Sequence, residues 1–364
     1  MGVKSFLRTP TRPHTHTPSL AAPRILILRG GALGDFILTL PAIRALRRHW
    51  PSAVIELIGH PGPAELALTA GLVDRVRSLD ASGMAAWFVS HRVWPERERA
   101  DLASFDLVLS YLGDVDGVLQ ANLRAAGAKQ VITCPPVVAA GHAADHFLRP
   151  VMELGRKTAT MPFSRTATTT HGVVAVRQNR AAEPLLPWPA ALREQGRHWL
   201  EELGLAGDVV CLHPGSGSAR KNWPVERFAL LAERVRRSMS AQPLFVLGEA
   251  EAAAARALAR LAPDAPMLTN RSLKEAASVL AVSRGYAGND SGITHLAAAL
   301  GVPVVALFGP TDAAVWGPRG AHVVVLQGRA PTSAALAAIE PDTVLKALEE
   351  LIASQLLGAS QILA

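Results

Sequence analysis

One stretch in the last third of the chain leaves few folds open to it. Gly288-Asn289-Asp290-Ser291-Gly292-Ile293-Thr294-His295 runs directly into Leu-Ala-Ala-Ala-Leu-Gly and then into the apolar run Pro303–Phe308. It reads as a strand end, a polar turn, a short helix and a second buried strand, the signature of a β-α-β unit. Asp290 stands where a helix N-cap is expected, its carboxylate placed to accept free N–H groups of the first turn. Ser291 and Gly292 open the helix with small side chains, so a ligand can approach the backbone closely. The unpaired N–H groups and partial positive charge of a helix start suit phosphate. His295 lies four residues after Ser291, on the same helical face. Alone, the segment equally describes an ordinary capped helix with a packed histidine.

A second turn of this kind lies at the other end. Arg24–Arg29 is a short apolar run typical of a buried parallel strand, and Gly30-Gly31-Ala32-Leu33-Gly34-Asp35 leads from it into a helical pattern through Leu46. The glycine spacing is not that of a dinucleotide fingerprint. No acidic residue closes the next strand: Glu56 is mid-strand, and Gly59-His60-Pro61 ends it. Asp35 instead places a carboxylate at the carboxyl end of a central strand, where open α/β sheets bind ligands and where a general base is useful.

Further apolar runs at Val54–Ile58, Leu107–Ser110 and Gln130–Thr133 complete a first set of strands. Val209–Leu212, Leu244–Leu247, Gly285–Gly288 and Val304–Phe308 make a second. Helical patterns separate them, notably Val225–Arg237 and Glu249–Leu261. Strands alternating with helices predict parallel sheets covered on both faces. The expectation is two doubly wound α/β domains facing a cleft: residues 23–165, binding acceptor, and 190–364, binding nucleotide-sugar. Residues 166–189, rich in Thr, Arg and Pro, read as an interdomain linker, and residues 1–22 as a disordered basic tail.

The second half carries another dense cluster, His213-Pro214-Gly215-Ser216-Gly217-Ser218-Ala219-Arg220-Lys221-Asn222-Trp223-Pro224. Small and hydroxyl residues make an N–H-rich loop, and Lys221 adds a mobile cation suited to charge building on a leaving diphosphate. Pro224 fits the first turn of the following helix. An isolated loop of this composition is more often a solvated surface loop.

Taken together, these segments resemble the bacterial heptosyltransferases of glycosyltransferase family 9. The resemblance rests on Leu33-Gly34-Asp35 with Leu40-Pro41-Ala42, on His213-Pro214-Gly215-Ser216 with Lys221-x-Trp223-Pro224 and Arg227-Phe228, and on the block from Asn289 to Thr311. It covers roughly residues 24–320. His142-Ala-Ala-Asp-His146-Phe147-Leu148 is similar to a family helix that closes the first domain. The resemblance implies a GT-B fold and inverting, metal-independent transfer from ADP-L-glycero-D-manno-heptose to a lipopolysaccharide core acceptor. Carried over position by position, Asp35 would be the general base and Lys221 would contact the donor phosphates. Asp290, Ser291, Gly292 and His295 would hold donor sugar and diphosphate. Glu249 would lie near the ribose, and Ser216 and Ser218 in the phosphate loop.

An inverting transfer needs one base and positive charge on the departing diphosphate, with no covalent nucleophile. Closure of the cleft would raise the basicity of Asp35 by desolvation. On the acceptor side, the candidates are Gly34 with Arg44, Arg47 and Arg48 on the helix after Asp35, and Arg92, Arg97 and Arg99 around Trp94. Such cations suit sugar carboxylates or lipid phosphates. A related transferase using another nucleotide-sugar, or a non-catalytic sugar-nucleotide-binding protein, remains the alternative.

The net charge of +7 favours anionic partners, but aromatic residues make up only 5%, with no basic-aromatic stacking platform, so nucleic acid is not expected. No metal or cofactor is expected. Asp114-Val115-Asp116 has D-x-D spacing but reads as a helix cap. Cys134 and Cys211 fall in different halves and form no C-x-x-C pair, consistent with a reducing compartment. No apolar stretch is long enough to span a bilayer, and the first residues lack a secretory signal. A cytoplasmic enzyme peripheral to the inner face of the membrane follows as the expectation, meeting a lipid-linked glycan acceptor. Oligomeric state is not legible.

Overall fold

The computed structural model describes residues 22–80, 83–154, 164–170, 173–179 and 183–362. The expected basic tail therefore lies, but for residue 22, outside the described residues.

The first domain is built on β1 (Arg24–Arg29), β2 (Val54–Gly59), β3 (Arg75–Ser78), β4 (Leu107–Ser110) and β5 (Val131–Thr133), in the spatial order β3-β2-β1-β4-β5 and all parallel. Its helices are α1 (Leu33–His49), α2 (Pro61–Thr69), α3 (Glu96–Ala103), α4 (Val118–Ala125) and α5 (Ala143–Leu154). β1 is central because its Ile25, Leu26, Ile27 and Leu28 are all essentially inaccessible to water. Each such side chain contributes roughly 1.5–3 kcal/mol by leaving water. Alternate residues along the strand feed the cores on the two faces of the sheet.

The second domain uses β6 (Ser164–Thr170), β7 (Val173–Asn179), β8 (Val209–His213), β9 (Gln242–Leu247), β10 (Met267–Thr269), β11 (Gly285–Asn289), β12 (Val304–Phe308) and β13 (Val323–Gly328). Their order is β10-β9-β8-β11-β12-β13-β7-β6. Around them lie α6 (Ala190–Glu202), α7 (Val225–Ser238), α8 (Ala252–Leu261), α9 (Leu273–Leu280), α10 (Gly292–Ala299), α11 (Ala313–Trp316), α12 (Ser333–Ala337) and α13 (Pro341–Ile362). Two parallel-sheet α/β domains are thus present, as expected.

The segment expected as a linker needs correction. β6 and β7 pair antiparallel with each other, and β7 pairs antiparallel with β13 along Val323–Gly328. Most of residues 164–179 is therefore a hairpin on the edge of the second sheet, and only the stretch around 183–189 crosses to α6. Backbone pairing to an open sheet edge gives this polar segment regular structure that its composition does not announce.

In both domains the candidate site loops follow the carboxyl ends of the central strands, β1 in one and β8 and β11 in the other. The two domains meet where α1 packs on α10.

Candidate active site

Asp35 sits in the first turn of α1. Its Oδ2 accepts the Ala32 N–H at 3.2 Å, reaching back over the helix start. Gly31 precedes it with φ +88°, and a Cβ there would lie 3.0 Å from Asp35 Oδ2, so the turn needs glycine on both counts. Beneath the turn, the buried Arg29 donates through Nη2 to the Asp35 carbonyl at 2.8 Å and lies over the Phe147 ring at 4.5 Å. Its guanidinium is pulled below its ordinary pKa by burial, with Asp35 opposing that shift. Arg29 was read only as the polar end of an apolar run; its role in fixing the Asp35 turn depends on Phe147, remote in sequence.

Across the cleft, β11 ends at Asn289. Strand pairing continues one residue further, the Asp290 N–H donating to the Leu307 carbonyl at 3.0 Å. The helix start is consequently shifted from the expectation. Ser291, not Asp290, is the N-cap, its hydroxyl accepting the Thr294 N–H at 3.3 Å. The Asp290 carboxylate, 8% exposed, instead pairs with Lys221 Nζ at 2.8 Å. Lys221 is thus brought to the site, with a carboxylate in the place where a phosphate was expected.

Asn289 ties the two candidate donor segments together. Its Nδ2 donates to the Pro214 carbonyl at 2.7 Å, and its Oδ1 accepts the Trp223 N–H at 2.9 Å. Trp223 is anchored in turn by its indole N–H, which donates to the Ile339 carbonyl at 3.0 Å. The Tyr286 and Thr294 hydroxyls, 2.9 Å apart, stiffen the α10 turn from below. None of these clamps was singled out from sequence, although Asn289 belongs to the block that carries the resemblance.

His295 is buried on the face of α10 turned to α1. A Cβ added to Gly34 would lie 3.4 Å from His295 Cδ2 and 3.8 Å from the Gly292 Cα, and one added to Gly292 would collide with Leu33 Cβ at 2.7 Å. These glycines permit the close crossing of the two helix starts. Burial drives the His295 pKa down to about 4, against opposing pulls from the Asp290 and Asp35 carboxylates. The imidazole is therefore neutral at physiological pH, able to donate or accept without carrying charge. Asp35 and His295 thus interact electrostatically across the domain boundary.

The remaining candidates divide. Ser216 folds into its own loop, its hydroxyl donating to the Ser218 carbonyl at 2.7 Å and lying 2.6 Å from Asn222 Oδ1. Ser218 and Glu249 are exposed, Glu249 just beyond the carboxyl end of β9. Glu251, two residues on, accepts the Gly248 N–H at 2.8 Å and lies against Gly215.

The acceptor-side arginines are largely not brought to the site. Arg44 bonds the Pro184 carbonyl and pairs with Glu183 at 2.9 Å, and Arg48 shares Glu183 at 3.2 Å. Arg47 pairs with Asp74 at 2.6 Å and donates to the Ala53 carbonyl, beside the amino end of β2. From Asp35, α1 carries Arg44 and Arg47 roughly 13–18 Å along its axis, at 1.5 Å per residue, so these cations brace the domain connection and the far end of the sheet. Arg92 pairs with Glu98 at 2.7 Å and stacks on Trp94. Arg97 is exposed, and Arg99 lies 4.0 Å from Glu96. As expected, Asp114 is a helix cap, accepting the Leu119 and Gln120 N–H groups at 2.9 Å each.

Comparison with known proteins bears on the fold that carries this arrangement. Residues 179–341 match the model of the family described as "Glycosyltransferase family 9 (heptosyltransferase)". The chain is 28% identical over 318 residues to lipopolysaccharide heptosyltransferase 1 of Pseudomonas aeruginosa, covering 86% of each chain. The family match thus falls on the second domain, from the end of β7 to the start of α13. Among solved structures, a family 9 transferase from Veillonella parvula superposes with TM-score 0.68 at 21% identity, over 92% of this chain and 99% of that one. An Escherichia coli heptosyltransferase solved with ADP superposes with TM-score 0.63 at 18% identity, over 90% and 99%. The chain shares the GT-B fold of these structures, with α1 and α10 at the domain junction. Among its described residues, no helix is long and apolar enough to cross a membrane, and no group of three or more His, Cys, Asp or Glu is placed to hold a metal ion.

Proposed function

We propose that this chain is a family 9 glycosyltransferase that moves a heptose from ADP-L-glycero-D-manno-heptose to a lipopolysaccharide core acceptor, with inversion and without metal or cofactor. The observation that carries this reading is the crossing of α1 and α10, which brings the Asp35 turn against His295, itself under the charges of Asp35, Asp290 and Lys221. Asp35 takes the proton from the acceptor hydroxyl as that oxygen attacks the anomeric carbon. The sugar–phosphate bond breaks on the opposite face, and ADP leaves. Lys221 turns from Asp290 to the diphosphate as its charge develops, and the backbone N–H groups at the start of α10 receive phosphate oxygens. His295, neutral, offers a hydrogen bond without repelling Lys221.

Support for the donor comes from the relatives: a heptosyltransferase of the same fold was solved with ADP, and another relative carries the name lipopolysaccharide heptosyltransferase 1. Acceptor recognition falls to the exposed loops of the first domain, since Arg44 and Arg47 are engaged elsewhere. The acceptor, a lipid-linked glycan, would be met at the cytoplasmic face of the inner membrane by a peripheral enzyme.

The test is calorimetric titration of ADP-heptose, ADP, UDP and GDP in the presence of a chelator, followed by turnover on a lipopolysaccharide core acceptor. Tight binding selective for ADP and its heptose, with transfer in chelator, supports the proposal. Preference for UDP or GDP would replace the donor while leaving the fold and the roles of Asp35 and Lys221.

A further inference from the structure

Away from the crossing of α1 and α10, the domains share a second contact, buried but for one carboxylate. His142 begins the chain's approach to α5. Its Nδ1 accepts both the Ala144 N–H and the Arg319 Nε–H, each at 3.1 Å, while its Nε2 donates to the Gly317 carbonyl at 2.9 Å. Two donors on Nδ1 and an acceptor opposite Nε2 define the neutral ring with its proton on Nε2. Arg319 also donates through Nη2 to Asp145 Oδ2 at 2.7 Å. His142 and Arg319 are 4% and 3% exposed, whereas Asp145 reaches solvent.

Each side of this contact leads to one half of the site. Asp145 is on α5, which packs along α1, the helix carrying Asp35. Phe147 of α5 also lies under Arg29, which holds the Asp35 turn. On the other side, Gly320 follows Arg319 and lies against α10, where a Cβ would be 2.7 Å from the Ala298 carbonyl oxygen. α10 carries His295 and is capped by Ser291. The bonds of Arg319 therefore join the body that holds the base to the body that holds the donor, at buried positions where such bonds are worth most.

We infer that Arg319, held by His142 and Asp145, is a positioning residue that sets the approach of α1 to α10 and hence the reach of Asp35 into the donor site. It touches no reacting atom. It acts on the domain spacing, and a misplacement of about 1 Å in such a site can cost up to about 100-fold in rate. The kinetic part of the inference rests on the proposed role of Asp35; the spacing part does not.

The experiment uses Arg319→Met, which keeps length and apolar packing but removes every donated bond. Asp145→Ala at the solvent-reaching end of the contact spares the buried core. Spin labels at Ala100→Cys and Ala253→Cys, exposed on α3 and α8, report the distance between domains. Both variants are expected to bind ADP within about twofold of wild type while kcat falls, between about 10- and 100-fold for Arg319→Met and several-fold for Asp145→Ala. The label distance should lengthen or broaden in both, and Arg319→Lys should recover part of the loss by pairing with Asp145. Unchanged distance and kcat in both variants would overturn the inference, as would loss of ADP affinity by Asp145→Ala, which lies in the other domain. The distance needs no substrate, so a wrong donor in the proposed reaction leaves that measurement decisive.

Discussion

Lys221 and Asp290 are joined by an ion pair of 2.8 Å between the phosphate-loop candidate and the end of β11. The lysine is about one-third exposed and the carboxylate is buried. The cation proposed to meet phosphate is thus held by a carboxylate of its own domain. Removing it affects both stability and binding. Lys221→Ala should weaken ADP binding at least about tenfold and destabilise the chain by about 1–3 kcal/mol, the cost of leaving a buried polar group without its partner. Calorimetry and chemical denaturation separate the two effects; unchanged affinity for ADP would remove Lys221 from phosphate binding.

Asp35→Ala should lower kcat by about 10²–10⁴-fold, the usual range for a general base, and leave ADP affinity nearly intact. The carboxylate makes one bond, to the Ala32 N–H at the helix start, so the fold should survive its removal. Single-turnover rates with pre-bound donor test this, and near wild-type turnover would assign the proton transfer elsewhere.

Asn289→Ala removes two hydrogen bonds that hold the 213–224 loop to the start of α10. A buried side chain with both partners left unmet predicts a loss of about 1–3 kcal/mol or more. Donor affinity should fall with stability, because both phosphate-facing segments lose their mutual register. Retained ADP affinity in a destabilised protein would show that the two segments hold their shape independently.

The chain should lose stability on mild acidification. Burial holds the His295 pKa near about 4, below the ordinary 6.5, and lowers that of His213 as well. Between those values the unfolded chain binds protons that the folded chain refuses, so stability is full above about pH 6.5 and falls as pH drops toward about 4. The slope is at most about 1.4 kcal/mol per pH unit for each histidine. Thermal unfolding from pH 7 to 4.5 measures it, and His295→Gln should flatten the dependence. An unaltered slope in that variant would mean that His295 does not contribute.

Gly292→Ala places a methyl group 2.7 Å from Leu33 Cβ, where the two helix starts cross. The domains must then separate or the helices shift. Transfer should fall by about tenfold or more, while each domain keeps its own sheet. Wild-type turnover in a well-folded Gly292→Ala protein would show that the crossing is slack.

Much of this was legible in the residues. Buried central strands announce themselves as apolar runs, so β1, β4 and β12 fall where the sequence places them, and β2, β8, β9 and β11 differ only at their ends. β3, with Arg75 and Arg77 alternating with smaller residues, is an edge strand with no such run, and β6 owes its regularity to pairing rather than composition. The run Val323–Leu326 carries the signal of a buried strand that the sequence reading leaves unassigned. At the site, residue types and order marked Asp35, Lys221, Asp290 and His295. Their partners are another matter. Arg29 with Phe147, Asn289 with Pro214, and Arg319 with His142 are contacts across long sequence separations, set by the packing of helices rather than by any local pattern. The N-cap illustrates the limit: strand pairing to Leu307 carries the backbone one residue past Asp290, and no propensity reports that.

The meeting of α1 and α10 also has an electrostatic meaning. Two helix amino ends, each bearing roughly half a positive charge, are pressed together at Gly34 and Gly292. Like poles held this close repel, and Asp35 and Asp290 are the fixed counter-charges that make the junction tolerable. An anion entering between the poles does their work from outside the chain. The nucleotide's diphosphate would then be mortar between the domains as well as cargo, and its departure would loosen the joint that its arrival drew shut.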